Sequence, residues 1–197
     1  MSKRDYLVID LEATCDDRGA VPRDQTEIIE IGAVLVDGRT MRPTAEFQTF
    51  VRPVRHPTLT AFCTELTSIV QADVEGAPGF REAIDALRGF MEAHGGGPLF
   101  ASWGNYDRGQ FKQDAQFHGV ELPFGRDHLN IKQAFSDAMG TKRRFGMARA
   151  LMRVGLELDG THHRGIDDAR NIARLLPYAL GRTRFPEPPA GWRRKRR

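Results

Sequence analysis

The order of strand-like and helix-like segments constrains the fold more than any other feature of this sequence. Short apolar runs predict strands over Tyr6–Leu11, Glu27–Val36 and Ala45–Val51, and Asp37–Gly38 is a turn signal between the second and third. Because these strands follow one another through short connections, they favour an antiparallel meander. From Phe80 onward the pattern changes to segments with helical periodicity.

The rest of the chain alternates helices and strands. Apolar residues recur with helical spacing from Phe80 to Met91, and Gly95–Pro98 ends that helix. Further helices are expected after Gly146 and over Ile166–Leu180. The segments between them are a strand at Leu99–Trp103, a helix at Asp107–His118, a strand at His128–Ile131 and a helix at Lys132–Met139. This order predicts an α/β domain with a mixed sheet flanked by helices.

A domain boundary is predicted near residue 182. A chain of 197 residues fits one domain with its own core, and we expect that domain to cover residues 1–182. The Pro-rich stretch Phe185–Ala190 marks its end. The tail, 183–197, ends in the basic run Arg193–Arg197, which either binds a polyanion or is simply solvated, and composition favours a disordered tail.

Composition favours a cytoplasmic protein over a membrane or secreted one. The chain is 40% hydrophobic and 28% charged, and no window approaches 18 consecutive apolar residues, so we expect no membrane span. The first residues, Met1–Asp5, lack the apolar region of a signal peptide. Cys15 and Cys63 are far apart and in no metal-ligand spacing. We therefore expect free thiols in a cytoplasmic, reducing compartment.

Asp10 and Glu12 form the first candidate site. They are two residues apart at the end of the first predicted strand, so their side chains share one face. Two close carboxylates raise each other's pKa unless a cation lies between them, and a hard divalent ion such as Mg²⁺ accepts such ligands. The alternative is a solvated strand end. It is weakened by position, because the pair closes an apolar run in which unpaired acids are costly.

Asp107 is the third candidate carboxylate. It follows a predicted strand and begins a predicted helix, where an aspartate is commonly an N-cap. A strand-to-helix junction is also a frequent place for ligand binding in α/β folds. The sequence leaves both interpretations open.

Two histidines and two acids lie close together before the last predicted helix. Asp168 precedes Ile172 by four residues and so lies on the core-facing side, whereas Asp167 is the better helix cap. A histidine beside metal-bound water is able to act as a general base because its pKa is near neutral. Each of His162 and His163, taken alone, is equally well explained as a surface residue.

Three segments together resemble the motifs of a known family. Asp10–Cys15, Trp103–Asp107 and His163–Asp168 are similar to the exonuclease motifs of the DEDDh (DnaQ-like) superfamily, and most similar to its Eri-type branch, the relatives of enzymes that trim histone-mRNA and small-RNA 3′ ends. The resemblance extends over about residues 5 to 180. Supporting matches are Glu27–Ile31, Phe62–Thr67 and His163–Ala173.

The resemblance implies an RNase H-like fold and a 3′→5′ exonuclease that hydrolyses single-stranded RNA or DNA from its 3′ end, with RNA favoured, and releases 5′-mononucleotides. It implies two Mg²⁺ ions, for which Mn²⁺ can substitute. By motif spacing it selects His163 over His162 as the base. The metal ligands would be Asp10, Glu12, Asp107 and Asp168, the catalytic residues Glu12 and His163, and the contacts to the terminal nucleotide Glu12, Ala13, Thr14 and His163.

The path of the nucleic acid and the alternative function stay open at this level. Several basic residues are able to guide a phosphate backbone, and the sequence does not rank them: Arg108, Lys112, Lys142, Arg143, Arg144 and Arg164. A second hypothesis is a regulatory or nucleic-acid-binding module on a nuclease fold, since fold does not dictate function.

Overall fold

The computed structural model describes residues 4–188 and Trp192. Its centre is a five-stranded sheet in the order β3-β2-β1-β4-β5. The first three strands pair antiparallel, and β1, β4 and β5 run parallel to one another. The strands are β1 (Tyr6–Ala13), β2 (Ile28–Val36), β3 (Pro43–Phe50), β4 (Leu99–Ser102) and β5 (His128–Asn130). The expected mixed sheet with an antiparallel meander is confirmed.

Helices cover both faces of the sheet. They are α1 (Ala61–Thr67), α2 (Gln71–Glu75), α3 (Phe80–Ala93), α4 (Tyr106–His118), α5 (Ile131–Ala138), α6 (Met147–Arg153) and α7 (Gly165–Ala179). One apolar core lies between the sheet and α5, α6 and α7, and a second lies between the sheet and α3 and α4. None of the described helices combines the length and apolar composition needed to cross a bilayer.

Alternation along β1 decides which layer its acids face. Leu7 and Ile9 pack in the core beneath α3 and α4, whereas Val8 packs in the core beneath α7. Since every second side chain of a strand points to the same face, Asp10 and Glu12 continue the row that begins at Val8. The two acids are therefore directed toward the α7 layer.

Two short helices were not predicted from the sequence. Helices α1 and α2 have seven and five residues, which is too short for a helical apolar period to be recognised. Helix α1 begins after Thr60, whose side-chain oxygen accepts a hydrogen bond from the Cys63 amide at 3.0 Å. The hydroxyl of Thr60 also donates to the Cys15 carbonyl at 2.7 Å, and this bond joins α1 to the segment after β1.

The segment beyond α7 packs back onto the helices. The Phe185 ring lies 5.1 Å from that of Phe135 in α5, and Trp192 lies 5.6 Å from Phe145. The division at residue 182 stays a prediction. The basic run Arg193–Arg197, for which the sequence favours disorder, lies outside the described residues.

Candidate active site

The end of β1 is irregular where the acid pair lies. Glu12 pairs with Glu30 of β2, and the register shifts between Glu12 and Ala13. Such a bulge redirects side chains and is common beside active sites. It places Ala13 on the wall of the cleft into which the two acids point.

Helix α7 reaches this cleft because two glycines allow it to approach the sheet. Gly32 of β2 pairs with Asp10, and a Cβ built on Gly32 would overlap the backbone of Gly165 and Ile166. A Cβ on Gly165 would come within 3.1 Å of the Asp10 carbonyl oxygen. The first turn of α7 thus lies directly on the strands, and Asp168 is carried to the acid pair.

The approach of α7 also depends on a buried glutamate. The fully buried Glu30 carboxylate accepts hydrogen bonds from the Gly165 amide at 3.0 Å and from Arg164 Nε at 3.1 Å. Arg164 was a candidate for guiding nucleic acid, and the structure commits its guanidinium to this ion pair instead. Sequence reasoning missed the role of Glu30, although an acid inside a wholly buried strand is a recognisable signal.

Three of the predicted acids converge. One carboxylate oxygen from each of Asp10, Glu12 and Asp168 lies within 4.8 Å of the others. Asp167, interpreted from the sequence as a helix cap, does not cap α7: it accepts from the Thr161 amide at 2.9 Å and from Arg170. The cap prediction fails because the carboxylate bonds to the loop preceding the helix.

Asp107 lines the same cleft from the first turn of α4. Its Oδ1 accepts a hydrogen bond from the Leu11 amide at 3.2 Å, which fixes α4 to the end of β1. The N-cap position belongs to Asn105, so the N-cap interpretation of Asp107 is wrong. The structure therefore supports the other interpretation that the sequence left open, a carboxylate directed into a ligand site.

Both histidines lie beside Asp168, in different relations to it. His162 Nδ1 lies 3.0 Å from Asp168 Oδ2, while the backbone amide of His163 donates to the same oxygen at 3.2 Å. The two rings stack with centroids 4.0 Å apart. His163 has a left-handed backbone, with φ of 63°, a conformation that is uncommon for residues other than glycine and concentrates at functional sites.

The cleft has a volume of about 290 Å³, with acids and histidines on one side and apolar walls on the other. Ala13 is part of the wall, and its contact with the terminal nucleotide stays a prediction. Thr14 is not part of the wall: its hydroxyl accepts from the Glu27 amide at 2.9 Å, and it borders a neighbouring cavity. The apolar wall comprises Leu11, Ala13, Leu66, Trp103, Tyr106, Met147 and Ile172.

The carboxylates of the cleft repel one another, and this repulsion disfavours their charged forms. Burial, reinforced by the charges of Asp168, Glu30 and Asp107, raises the pKa of Glu12 to about 8. Burial also raises the pKa of Asp107 to about 6 and, with the charges of its neighbours, raises the pKa of Asp10 well above its usual range. A divalent cation relieves this repulsion, and carboxylate oxygens are the ligands that hard cations prefer. The donor set fits a divalent metal.

This electrostatic cost predicts the pH dependence of the metal-free protein. The folded pKa of Glu12, about 8, exceeds its reference value of 4.5, so the native state binds more protons and stability falls as pH rises through this range. Between pH 6.5 and 8, above the histidine reference value, we expect the deprotonation of Glu12 to lower the free energy of unfolding, measured in urea with EDTA, by up to about 1.4 kcal/mol per pH unit.

Two controls isolate the Glu12 contribution. Glu12→Gln removes one titrating group and should make the fall of stability with pH smaller than in wild type, while Asp10, whose pKa is also raised, still contributes to it. Asp17→Asn, an exposed acid outside the cleft, should leave the dependence unchanged. Added Mn²⁺ should stabilise the protein more at pH 8 than at pH 6.5, since it binds the deprotonated acids. A wild-type stability that rises with pH in EDTA would contradict this account.

Comparison with known proteins identifies the family. A sequence profile described as Exonuclease (RNase_T) matches residues 7–176 of the chain. The chain belongs to this exonuclease family. ERI1 exoribonuclease 3 of Mus musculus is 36% identical over 179 residues, covering 87% of this chain and 52% of the relative. The 3′-5′ exonuclease Snipper of Drosophila melanogaster is 32% identical and covers 86% and 67%.

Solved structures agree with this assignment to the DEDDh exonucleases. The nuclease domain of 3′hExo, described as a DEDDh family member bound to rAMP, matches with a TM-score of 0.84 and 28% identity, over 94% of this chain and 98% of that domain. The RNase H-like fold expected from the sequence is thereby confirmed. Family membership implies divalent metal ions at the acid cluster. The chain spans about half the length of the ERI1 exoribonuclease 3 relatives that it matches.

Proposed function

We propose that this chain is a metal-dependent 3′→5′ exonuclease that removes 5′-mononucleotides from the 3′ end of single-stranded nucleic acid, with RNA favoured over DNA. The observation that carries the proposal is the convergence of Asp10, Glu12 and Asp168 within 4.8 Å, in a cleft that Asp107 also lines. Relatives named exoribonuclease support the preference for RNA, and one similar solved structure is described as the 3′-end specific recognition of the histone mRNA stem-loop by a 3′-exonuclease.

The four acids would hold two divalent ions, with Mg²⁺ as the natural metal and Mn²⁺ as a substitute. Bound ions would supply activation of water and charge stabilisation on the leaving 3′-oxygen. The contribution of the protein is to position the carboxylate ligands. Asp107 is fixed by the Leu11 amide and Asp168 by the His162 ring and the His163 amide, so the ligands are held in position before metal and substrate arrive.

The apolar wall of the cleft would receive the terminal nucleoside. Trp103, Tyr106 and Leu66 border a space of about 290 Å³ beside the acids, at the small end of the range for ligand sites. A cleft of this size suits one nucleotide and not a duplex. The Ala13 side chain lies on this wall and would contact the terminal residue beside Glu12.

Burial lowers the pKa of His163, so its ring is neutral at physiological pH and able to accept a proton. We assign it the role of general base toward the attacking water. His162, which is hydrogen-bonded to Asp168, would act as a positioning residue for that ligand. Three of the four acids are buried, and the cost of keeping them there also disfavours the alternative of a pure binding module, which has no need of such a cluster.

The pH profile distinguishes the two histidines. We expect His163→Asn to lower kcat by roughly 10²- to 10⁴-fold and to remove the acid limb of the kcat profile, in which protonation of the base lowers the rate. His162→Asn should lower kcat about 10- to 100-fold through a displaced ligand while keeping that limb. An acid limb that disappears in His162→Asn and persists in His163→Asn would reverse the assignment.

A single experiment tests polarity, sugar preference and metal need together. Matched 5′-labelled single-stranded RNA and DNA are incubated with Mg²⁺, with Mn²⁺ and with EDTA, and the products are separated by length. We expect shortening from the 3′ end, faster on RNA, that EDTA abolishes. Intact oligomers under both metals would refute the proposed function. The cytoplasmic location expected from the sequence stays a prediction.

A further inference from the structure

The segment between Asp137 and Glu157 is strongly basic. It contains five arginines and lysines and no acid. The segment spans the end of α5, the loop before α6 and α6 itself. We name four exposed residues of this segment the basic ridge: Lys142, Arg143, Arg144 and Arg149.

The charged groups of the basic ridge have no ion-pair partner among the described residues. Within the described residues, none of its four members forms an ion pair with a carboxylate, whereas arginines elsewhere do, as in Arg164–Glu30 and Arg170–Glu46. Arg144 donates instead to the Lys142 carbonyl at 2.9 Å and to the Gln133 side chain. A positive surface without counter-charges attracts a polyanion.

Aromatic rings contact two of the three ridge arginines, Arg143 and Arg149, and hold their guanidinium groups in place. The Arg143 guanidinium lies 5.5 Å from the Phe145 ring centre, and that of Arg149 lies 5.1 Å from the Trp192 ring centre. The two rings are themselves 5.6 Å apart. A guanidinium held over a ring keeps its hydrogen-bond donors free and loses little conformational entropy when it binds a phosphate.

The ridge begins at the rim of the acid cleft. Trp103, which lines the cleft, donates from Nε1 to the Phe145 carbonyl at 3.1 Å. Met147, the first residue of α6, lines the cleft as well. Phe145 therefore lies between Arg143 on the ridge and Trp103 in the cleft wall, and a strand leaving the cleft on this side would meet positive charge at once.

The other basic residues singled out from the sequence are placed differently. Arg164 is committed to Glu30. Arg108 and Lys112 border a separate cavity of about 360 Å³, together with Arg126, and that cavity shares no lining residue with the acid cleft. Among these basic residues, those of the ridge are the ones that adjoin the acid cleft, and so they are the candidates for guiding a nucleic-acid backbone into it.

We propose that the basic ridge binds the phosphodiester backbone of the nucleotides that precede the 3′-terminal residue, and so draws a single strand across Met147 into the acid cleft. The proposal rests on the proposed exonuclease function. It adds the path of the substrate. It also explains how a polyanion reaches a cleft lined by acids, since the ridge supplies the attraction that the cleft itself lacks.

Binding without catalysis tests the ridge directly. A fluorescent single-stranded RNA of about 20 nucleotides is titrated with protein in EDTA at several salt concentrations. We expect Arg143→Gln/Arg149→Gln to weaken binding roughly tenfold at low salt and to reduce the slope of log K against log salt by about 1.4, since each lost contact to a single strand contributes about 0.7. Unchanged affinity and slope would overturn the proposal.

Two control variants separate charge from fold. Arg39→Gln/Arg42→Gln removes the same charge from the turn between β2 and β3, at the end of β2 remote from the acids, and should leave the salt slope unchanged. Arg143→Lys/Arg149→Lys keeps the charge but changes the contact with the rings and should retain most of the affinity. Equal losses in the ridge and control pairs would show a non-specific charge effect and contradict the proposal.

Kinetics then connect the ridge to the cleft. On the long RNA, the Arg143→Gln/Arg149→Gln pair should raise KM with little change in kcat, whereas on a dinucleotide, which has no upstream backbone, both constants should match wild type. An equal rise of KM on the two substrates would contradict an upstream track. If wild type cleaves neither substrate, the exonuclease proposal fails, while the binding result still decides whether the ridge holds a single strand.

Discussion

Replacement of Asp10 by asparagine is expected to lower kcat on single-stranded RNA by more than about 100-fold at saturating Mg²⁺. Loss of a residue that only supports a metal ligand typically costs about 10- to 100-fold, and Asp10 itself supplies one of three carboxylate oxygens within 4.8 Å of one another. An amide keeps the size of the carboxylate but removes its charge. Isothermal titration with Mn²⁺ should show weaker binding in parallel with the lost turnover.

Stability separates this effect from misfolding. Burial and the charges of Asp107, Glu12 and Asp168 raise the pKa of Asp10, so a neutral amide relieves repulsion in the metal-free protein. We therefore expect the Tm of Asp10→Asn in EDTA to equal or exceed that of wild type, as is common where function costs stability. Asp17→Asn, an exposed acid outside the cleft, should keep wild-type activity. A variant that is both inactive and markedly less stable would indicate a structural role for Asp10.

Gly32→Ala is expected to destabilise the fold by at least about 3 kcal/mol, at the upper end of the cost of overpacking. The added methyl would overlap the backbone of Gly165 and Ile166, and backbone at the start of α7 cannot move aside as a side chain can. Since α7 carries Asp168, we also expect weaker metal binding in whatever protein folds. Urea denaturation measures the first effect and Mn²⁺ titration the second.

Gly89→Ala is the matched control. Gly89 lies within α3, where a Cβ would meet no atom within 4 Å, so alanine should stabilise the protein by about 0.5–1 kcal/mol through its helix propensity. Opposite signs of the change in the free energy of unfolding for the two substitutions would show that the close approach of α7 at Gly32, and not the loss of a glycine as such, causes the destabilisation. A neutral Gly32→Ala would mean that α7 is free to shift on the sheet.

The sequence predicts the elements that are long and amphipathic. Helices α3, α4 and α7 and the strands lie within a few residues of their expected bounds. In α3 and α7 the apolar period extends over the whole helix. The phasing that assigns Asp168 to the inward side of α7 agrees with its burial in the structure. Helices α1 and α2 were not predicted because neither is long enough to show a helical period. Leu66 belongs to α1, so its place on the cleft wall was not predicted either.

Predictions from neighbouring residues fail where a polar side chain forms its hydrogen bonds with residues that are distant in the sequence. Asn171 is a polar residue of α7 that is fully buried: its amide donates to the Asp159 carbonyl, and its oxygen accepts from the Asp159 amide. Asp107 resembles a cap in sequence, yet its carboxylate bonds to Leu11, which is 96 residues away. Such partners are invisible to any window along the chain. The choice of His163 over His162 depends on motif spacing alone and stays a prediction.

The four acids belong to segments that lie far apart along the chain, in β1, α4 and α7. During synthesis a protein folds from its N-terminal end, and here Asp10 must wait until residue 168 has left the ribosome and α7 has docked on Gly32. A nascent chain consequently carries an incomplete set of metal ligands until α7 has emerged and packed against the sheet.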